Sequence, residues 1–198
     1  FALEYVQGGS LADWLKGHRP TPRAAAQLVE KLARAIHAAH LHGIVHRDLK
    51  PDNVLLAAGE GELVPKIADF GLAKRLDRVS GLTGSDAVLG TPHYMAPEQA
   101  QGKNKQIGPA ADQFALGVIF YQLLTGTLPL AAETIPELLM KIIASEPPPP
   151  RQVNPDVPLD LQVICLKCLE KDPERRYPTA AALADDLASG KPVMSDER

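Results

Sequence analysis

The stretch DQFALGVIFYQLLTG, from Asp112 to Gly126, places Phe114, Leu116, Val118, Ile119, Phe120, Leu123 and Leu124 on nearly every face of a helix. A helix that is apolar all round has to be buried all round. Other elements must therefore enclose it, and the expected fold is mainly α, a helical bundle around a buried central helix. The apolar part, Phe114 to Leu124, is shorter than the ~20 residues that span a bilayer, and no charged-then-apolar leader opens the chain. The 198 residues, 45% hydrophobic and 23% charged, are enough to bury one sizeable core. A net charge of −3 gives no cationic footprint for nucleic acid or an anionic membrane, so a soluble, cytoplasmic protein without a nucleic-acid partner is expected.

The enclosing helices can be read from their starts and periods. After FALEYV, Gly8 and Gly9 break the chain, and Ser10 with Asp13 three residues on resembles a capping box for a short helix. Thr21-Pro22 starts a longer one, with Leu28, Leu32 and Ile36 on its apolar face, flanked by Val29, Ala33 and Ala39, and Gly43 at its end. Amphipathic patterns recur at Ile135 to Ala144, Leu159 to Leu169 and Thr179 to Leu187. The prolines 147 to 150 read as a spacer, although such a run also suits Pro-recognising modules. Three short runs, GIVH, NVLLA and LVPKIAD, are β-prone, and GEGE at 59 to 62 predicts a tight turn between the last two. From Leu72 to Gly108 no helical period survives. So long an irregular segment in a compact domain is usually functional.

Two clusters invite metal readings. Cys165 and Cys168 form a lone C-x-x-C, but a structural zinc site needs four ligands and no second pair exists. Their spacing with Leu161, Ile164 and Leu169 predicts a buried helix face in a reducing compartment. His37, His40, His42 and His46 lack an accompanying carboxylate or cysteine cluster, so packing and surface roles are expected of the first three.

The motifs that carry chemistry come in a fixed order: His46-Arg47-Asp48-Leu49-Lys50-Pro51-Asp52-Asn53, then Asp69-Phe70-Gly71, then Ala96-Pro97-Glu98, with Asp112 and Arg176 further on. Read alone, Asn53 is a turn residue and Asp69 opens an Asx-type turn with Gly71. In this order and spacing the set resembles the eukaryotic-like protein kinase family, and in particular the bacterial receptor-like Ser/Thr kinases. The fold that the resemblance implies is the kinase-like C-terminal lobe, with short β-hairpins carrying the catalytic and metal-binding loops.

The resemblance also implies a chemistry, transfer of the ATP γ-phosphate to protein Ser or Thr hydroxyls, in which positioning and charge neutralisation dominate. Asp48 resembles the catalytic base. Lys50 would reach the transferring phosphate, and its presence after Asp48 marks the Ser/Thr class. Asn53 and Asp69 offer hard oxygen ligands suited to Mg2+. Thr91 would contact Asp48 and Lys50, while Val88, Pro92 and Met95 would line the pocket for the next substrate residue. For ATP, Leu3 stands at the gatekeeper position, the Glu4 carbonyl and Val6 amide would pair with adenine, Ser10 lies at the ribose and Leu55 forms the floor. Strand and core packing account for these last residues equally well.

Regulation is implied by Arg47, since family members with this arginine usually need a phosphate on the activation loop. Thr83 and Ser85 are the phosphosites expected, with Ser80 a weaker third, and autophosphorylation implies dimerisation. Flexible-loop composition explains these residues as readily. His46 and Phe70 should stack in the core, Glu98 should pair with Arg176, and Asp112 should bond the backbone near His46. Residues 1–190 read as hinge plus C-terminal lobe and 191–198 as the start of a polar linker, so the chain reads as a fragment. It is expected to lack the N-lobe Gly-rich loop and strand lysine, to be inactive alone, and to come from a parent that a membrane segment could anchor. The rival readings are a pseudokinase-like scaffold and a small-molecule phosphotransferase; the intact Asp48, Lys50, Asn53 and Asp69 disfavour the first, and Ala96-Pro97-Glu98 the second.

Overall fold

Residues Pro109–Thr125 form the central helix, α4, of a computed structural model that describes residue 6 and residues 8–58, 63–70, 92–103 and 107–189. Every residue of α4 from Ala111 to Tyr121, and from Leu123 to Thr125, is buried. It begins one turn before Asp112, because Gly108 caps it and Pro109 occupies the first helical position, where a missing N–H costs nothing. Gly126 ends it in the left-handed region, with φ 76°, donating its N–H to the Gln122 carbonyl.

Around α4 lie α1 (Leu11–Leu15), α2 (Pro22–Leu41), α3 (Pro97–Ala100), α5 (Ile135–Ala144), α6 (Pro150–Val153), α7 (Leu159–Cys168) and α8 (Ala180–Ser189). Thr21 caps α2 by accepting a hydrogen bond from the Ala24 N–H at 3.2 Å. Its buried stripe is Ala25, Ala26, Val29, Leu32, Ala33 and Ile36, so Leu28 sits at the margin. That stripe packs on α4 and α8. α7 lies so close to α4 that a side chain at Gly117 would place its Cβ 2.6 Å from the Cys168 Cβ. Both cysteines are buried there, as their spacing implies. The proline run links α5 to α6, with Pro147 and Pro150 buried.

Strands β1 (Val54–Ala58) and β2 (Leu63–Ile67) form one antiparallel hairpin, in register from Val54 opposite Ile67 to Ala58 opposite Leu63. The GEGE turn at 59–62 lies outside the described residues. Two expectations need correction. GIVH is not a strand: Gly43 and Ile44 donate their N–H groups to the His40 and Ala39 carbonyls at the end of α2, and the His46 N–H is taken by the Asp112 carboxylate rather than by a neighbouring strand. The segment before Gly108 is not irregular throughout. Residues Pro92–Tyr94 make a 3-10 turn and Pro97–Ala100 the one-turn α3, too short to leave a period in the sequence. No helix among the described residues is long and apolar enough to cross a membrane.

Candidate active site

The loop between α2 and β1 is held by one buried carboxylate. Asp112, 1% exposed on the first turn of α4, accepts the His46 N–H at 2.9 Å on Oδ2 and the Arg47 N–H at 2.8 Å on Oδ1. The expected backbone contact of Asp112 is thus present. His40 Nε2 sits 2.8 Å from Oδ2 of the same carboxylate. His40 was expected to have only a packing or surface role, yet it lies four residues beyond Ile36, where α2 turns the same face inward. That phase was the available signal.

These bonds hold Arg47 at φ 68°, a left-handed conformation costing about 1–2 kcal/mol for a residue with a Cβ. Such a residue persists where its surroundings over-determine it. The next residue, Asp48, donates its N–H to His46 Nδ1 at 3.3 Å. His46 must therefore present a lone pair on Nδ1 and carry its proton on Nε2, which lies 2.9 Å from the Ala68 carbonyl. The imidazole, fully buried, fixes the backbone of the loop between α2 and β1 on one side and the end of β2 on the other.

Three of the expected residues converge. Lys50 Nζ lies 3.2 Å from Asp48 Oδ2, and Asn53 Nδ2 donates to the Asp48 carbonyl at 2.7 Å with Oδ2 at 3.4 Å. Asn53 is buried in the 3-10 turn Pro51–Asn53, whereas the Asp48 side chain is 56% exposed. A carboxylate open to solvent and flanked by a cation can meet an incoming hydroxyl. Asp69 follows Ala68, whose N–H donates to the Asn53 carbonyl at 2.8 Å and whose carbonyl meets His46. Asn53 and Asp69 are thus tied through one residue. Asp69 has φ 62°, a conformation Asp tolerates better than most residues. Because Nδ2 of Asn53 is spent on Asp48, Oδ1 is the amide atom left to offer a ligand, and together with the exposed Asp69 carboxylate it supplies hard oxygens of the type Mg2+ takes.

Phe70 meets His46 edge to face, centroids 4.9 Å apart at 62°, and is 39% exposed. It does not stack within the core as expected; the edge contact is the geometry ring quadrupoles favour. Ser10 caps α1, accepting the Asp13 N–H at 3.1 Å and donating its hydroxyl to Asp13 Oδ2 at 2.8 Å, so the expected helix cap is present and occupies its hydroxyl. Ser10 also bridges Leu55, and Leu56 donates its N–H to the Gly9 carbonyl at 2.9 Å. Gly8 permits this approach, since any Cβ there would run into the Leu56 carbonyl. Val6 and Leu55 are both half-buried. Leu3, Glu4, Gly71, Ser80, Thr83, Ser85, Val88 and Thr91 lie outside the described residues.

Behind the loop, Glu98 on α3 pairs with Arg176, both buried, through bonds of 2.8 and 2.9 Å. Pro92 is buried and Met95 half-buried. The neighbouring Tyr94 donates to Gln122 Oε1 at 2.7 Å, and burial raises its phenol pKa well above the usual value. Gln99, which sequence reasoning missed, bonds the Arg47 carbonyl from α3 at 2.8 Å. A polar residue on a one-turn helix gave no periodic signal.

The comparisons agree with this geometry. A family model described as the protein kinase domain matches residues 1–187. The chain is 42% identical over 189 residues to the serine/threonine-protein kinase Pkn1 of Myxococcus xanthus, covering 93% of this chain and 26% of that protein. It is 37% identical over 186 residues to PrkC of Bacillus subtilis, covering 93% and 28%. PknB of Mycobacterium leprae is 34% identical over 194 residues, covering 96% and 30%. The crystal structure of Rad53 1-466 in complex with AMP-PNP superposes with a TM-score of 0.75 at 28% identity, covering 92% of this chain and 44% of that one. The chain thus spans between 26% and 30% of the length of these three curated relatives.

Proposed function

This chain belongs to the eukaryotic-like Ser/Thr protein kinase family, and on that premise we propose that the protein carrying it transfers the γ-phosphoryl group of ATP to Ser and Thr hydroxyls of protein substrates. The observation that carries this reading is the convergence of Lys50 and Asn53 on a solvent-facing Asp48 whose backbone is clamped by Asp112 and His46. Positioning and charge neutralisation are what phosphoryl transfer asks of a protein.

In the proposed mechanism Asp48 orients the substrate hydroxyl and accepts its proton as the hydroxyl oxygen bonds to phosphorus and the bond to the β–γ bridging oxygen breaks. Lys50 offsets negative charge on the transferring group. Asn53 and Asp69 would hold Mg2+, which supplies neutralisation of phosphate charge when bound. Val6 and Glu4 backbone groups would receive the adenine edge, Leu55 its face, and Ser10 the ribose. Thr91, Pro92 and Met95 would seat the substrate beside Asp48, and Thr83 and Ser85 are proposed as regulatory phosphosites whose phosphate Arg47 neutralises.

The test is Asp48→Asn in the full-length protein, assayed for phosphate incorporation into a Ser/Thr peptide with Mg2+ and ATP. Loss of the base is expected to lower kcat by at least about 10²-fold with an unchanged melting temperature, because the side chain is more than half exposed. A variant as active as the wild type would overturn the assignment.

A further inference from the structure

The peptide unit joining Arg47 to Asp48 is held at both of its polar edges. Its N–H, on Asp48, donates to His46 Nδ1 at 3.3 Å, and its carbonyl, on Arg47, accepts from Gln99 Nε2 at 2.8 Å. The orientation of this peptide plane sets the direction in which the Asp48 side chain leaves the backbone. The preceding N–H, on Arg47, is fixed by Asp112, so rotation on that side is already restricted. On the carbonyl side Gln99 supplies the restraint.

Gln99 is itself oriented. Its Oε1 accepts the Ala96 N–H at 3.0 Å, so its carboxamide can donate to Arg47 only in the orientation observed. Ala96 has no polar side chain to return the bond, and Gln99 alone closes the start of α3. The helix carrying it is anchored one residue earlier, where Glu98 pairs with the buried Arg176. A line of bonds thus runs from Arg176 through Glu98 and Gln99 to the peptide before Asp48, beside the bonds that Asp112 makes to His46 and Arg47.

We propose that Gln99 is a positioning residue for phosphotransfer: through the Arg47 carbonyl it fixes the Arg47–Asp48 peptide plane and so aims the Asp48 carboxylate. The inference rests on the kinase reading of Asp48. Gln99 touches neither substrate nor nucleotide in this role, and its removal should be felt in kcat rather than in either KM. Side-chain volume is not the requirement; a donor at Nε2 is.

Two substitutions in the full-length protein test this. Gln99→Met keeps the shape and removes both bonds; kcat is expected to fall about ten- to a hundredfold, the scale of misplacing a catalytic group by an ångström, with KM for ATP and peptide within about twofold of the wild type on the same reasoning. Gln99→Glu keeps the acceptor for Ala96 but sets a carboxylate oxygen against the Arg47 carbonyl. A protonated carboxyl can donate there, so its kcat relative to wild type should recover as pH falls toward the carboxyl range, which a loss of helix capping alone would not produce. Amide exchange at Asp48, read by mass spectrometry or NMR, should quicken by roughly threefold to tenfold in Gln99→Met, the equivalent of one neutral hydrogen bond. Unchanged kcat in Gln99→Met, or equal losses in both variants at every pH, would overturn the proposal. If the wild-type protein transfers no phosphate, the kinase reading fails instead, while the exchange measurement still decides whether Gln99 holds the Asp48 peptide.

Discussion

Removing Arg176 should cost more stability than any substitution on the surface, and the reason can be counted. Its guanidinium has five N–H donors, and all are used. Nε bonds the Glu170 carbonyl at 2.8 Å, Nη1 bonds Glu98 Oε1 and the Ala110 carbonyl at 2.8 Å each, and Nη2 bonds Glu98 Oε2 at 2.9 Å and the Lys171 carbonyl at 3.2 Å. Its flat face lies 5.1 Å from the centroid of Phe114. Arg176→Met would leave the Glu98 carboxylate, 4% exposed, without its counter-ion and three carbonyls without this donor. Breaking a buried pair from one side costs about 3–5 kcal/mol, a large share of a native stability of about 5–15 kcal/mol. At this size that corresponds to a fall in Tm of roughly 6–20 °C. Calorimetry of the full-length protein would follow the kinase-domain transition. Arg176→Lys should fall between, since one ammonium cannot reproduce the planar fork. Adding Glu98→Gln to Arg176→Met should recover part of the loss, because a buried neutral amide costs less than a buried charge. A loss below about 1 kcal/mol, the scale of an exposed pair, or a double variant no better than the sum of the singles, would refute the view that desolvated charge dominates this contact.

His40→Phe should lower kcat more than it raises either KM and cost about 1–3 kcal/mol of stability, since the Asp112 carboxylate loses its side-chain partner while keeping two backbone donors; steady-state kinetics beside thermal melts would check both. Gly117→Ala gains about 1 kcal/mol of helix propensity, but its Cβ would stand 2.6 Å from the Cys168 Cβ, and overpacking of about 1–3 kcal/mol should leave the variant with a lower midpoint in urea. Cys165 and Cys168 should resist alkylation at pH 8 until the fold opens, because burial pushes the Cys165 thiol well up and the Cys168 thiol up to about 12. With both values raised on folding, the stability from burying protonated thiols is fully present below the ordinary value of 9.0 and is lost as pH rises from there towards about 12. Mass spectrometry of labelled protein across that range would show it.

The two patterns that mattered most were one apolar run and one ordered set of motifs. The all-round apolar run at Phe114 to Leu124 announces a central helix because burial on every face leaves no polar side in the sequence. The ordered motifs from His46 to Arg176 likewise announced Asp48, Lys50 and Asn53 as a group, and the pairs Glu98–Arg176 and Asp112–His46, through resemblance to a family. The helix start at Thr21 rests on short-range capping, which neighbouring residues specify. What only the tertiary structure decided is which groups outside those motifs meet across long separations. His40 and Asp112 are 72 positions apart, and Gln99 and Arg47 are 52 apart. The phase of His40 with Ile36 marks an inward-facing side chain but not its partner, and nothing in the period, spacing or composition marks Gln99. GIVH fails as a strand because its N–H groups are claimed elsewhere: Gly43 and Ile44 donate to carbonyls at the end of α2 and His46 to a carboxylate 66 positions away, so β propensity yields to partners that exist only once α2 has formed and α4 is packed against it.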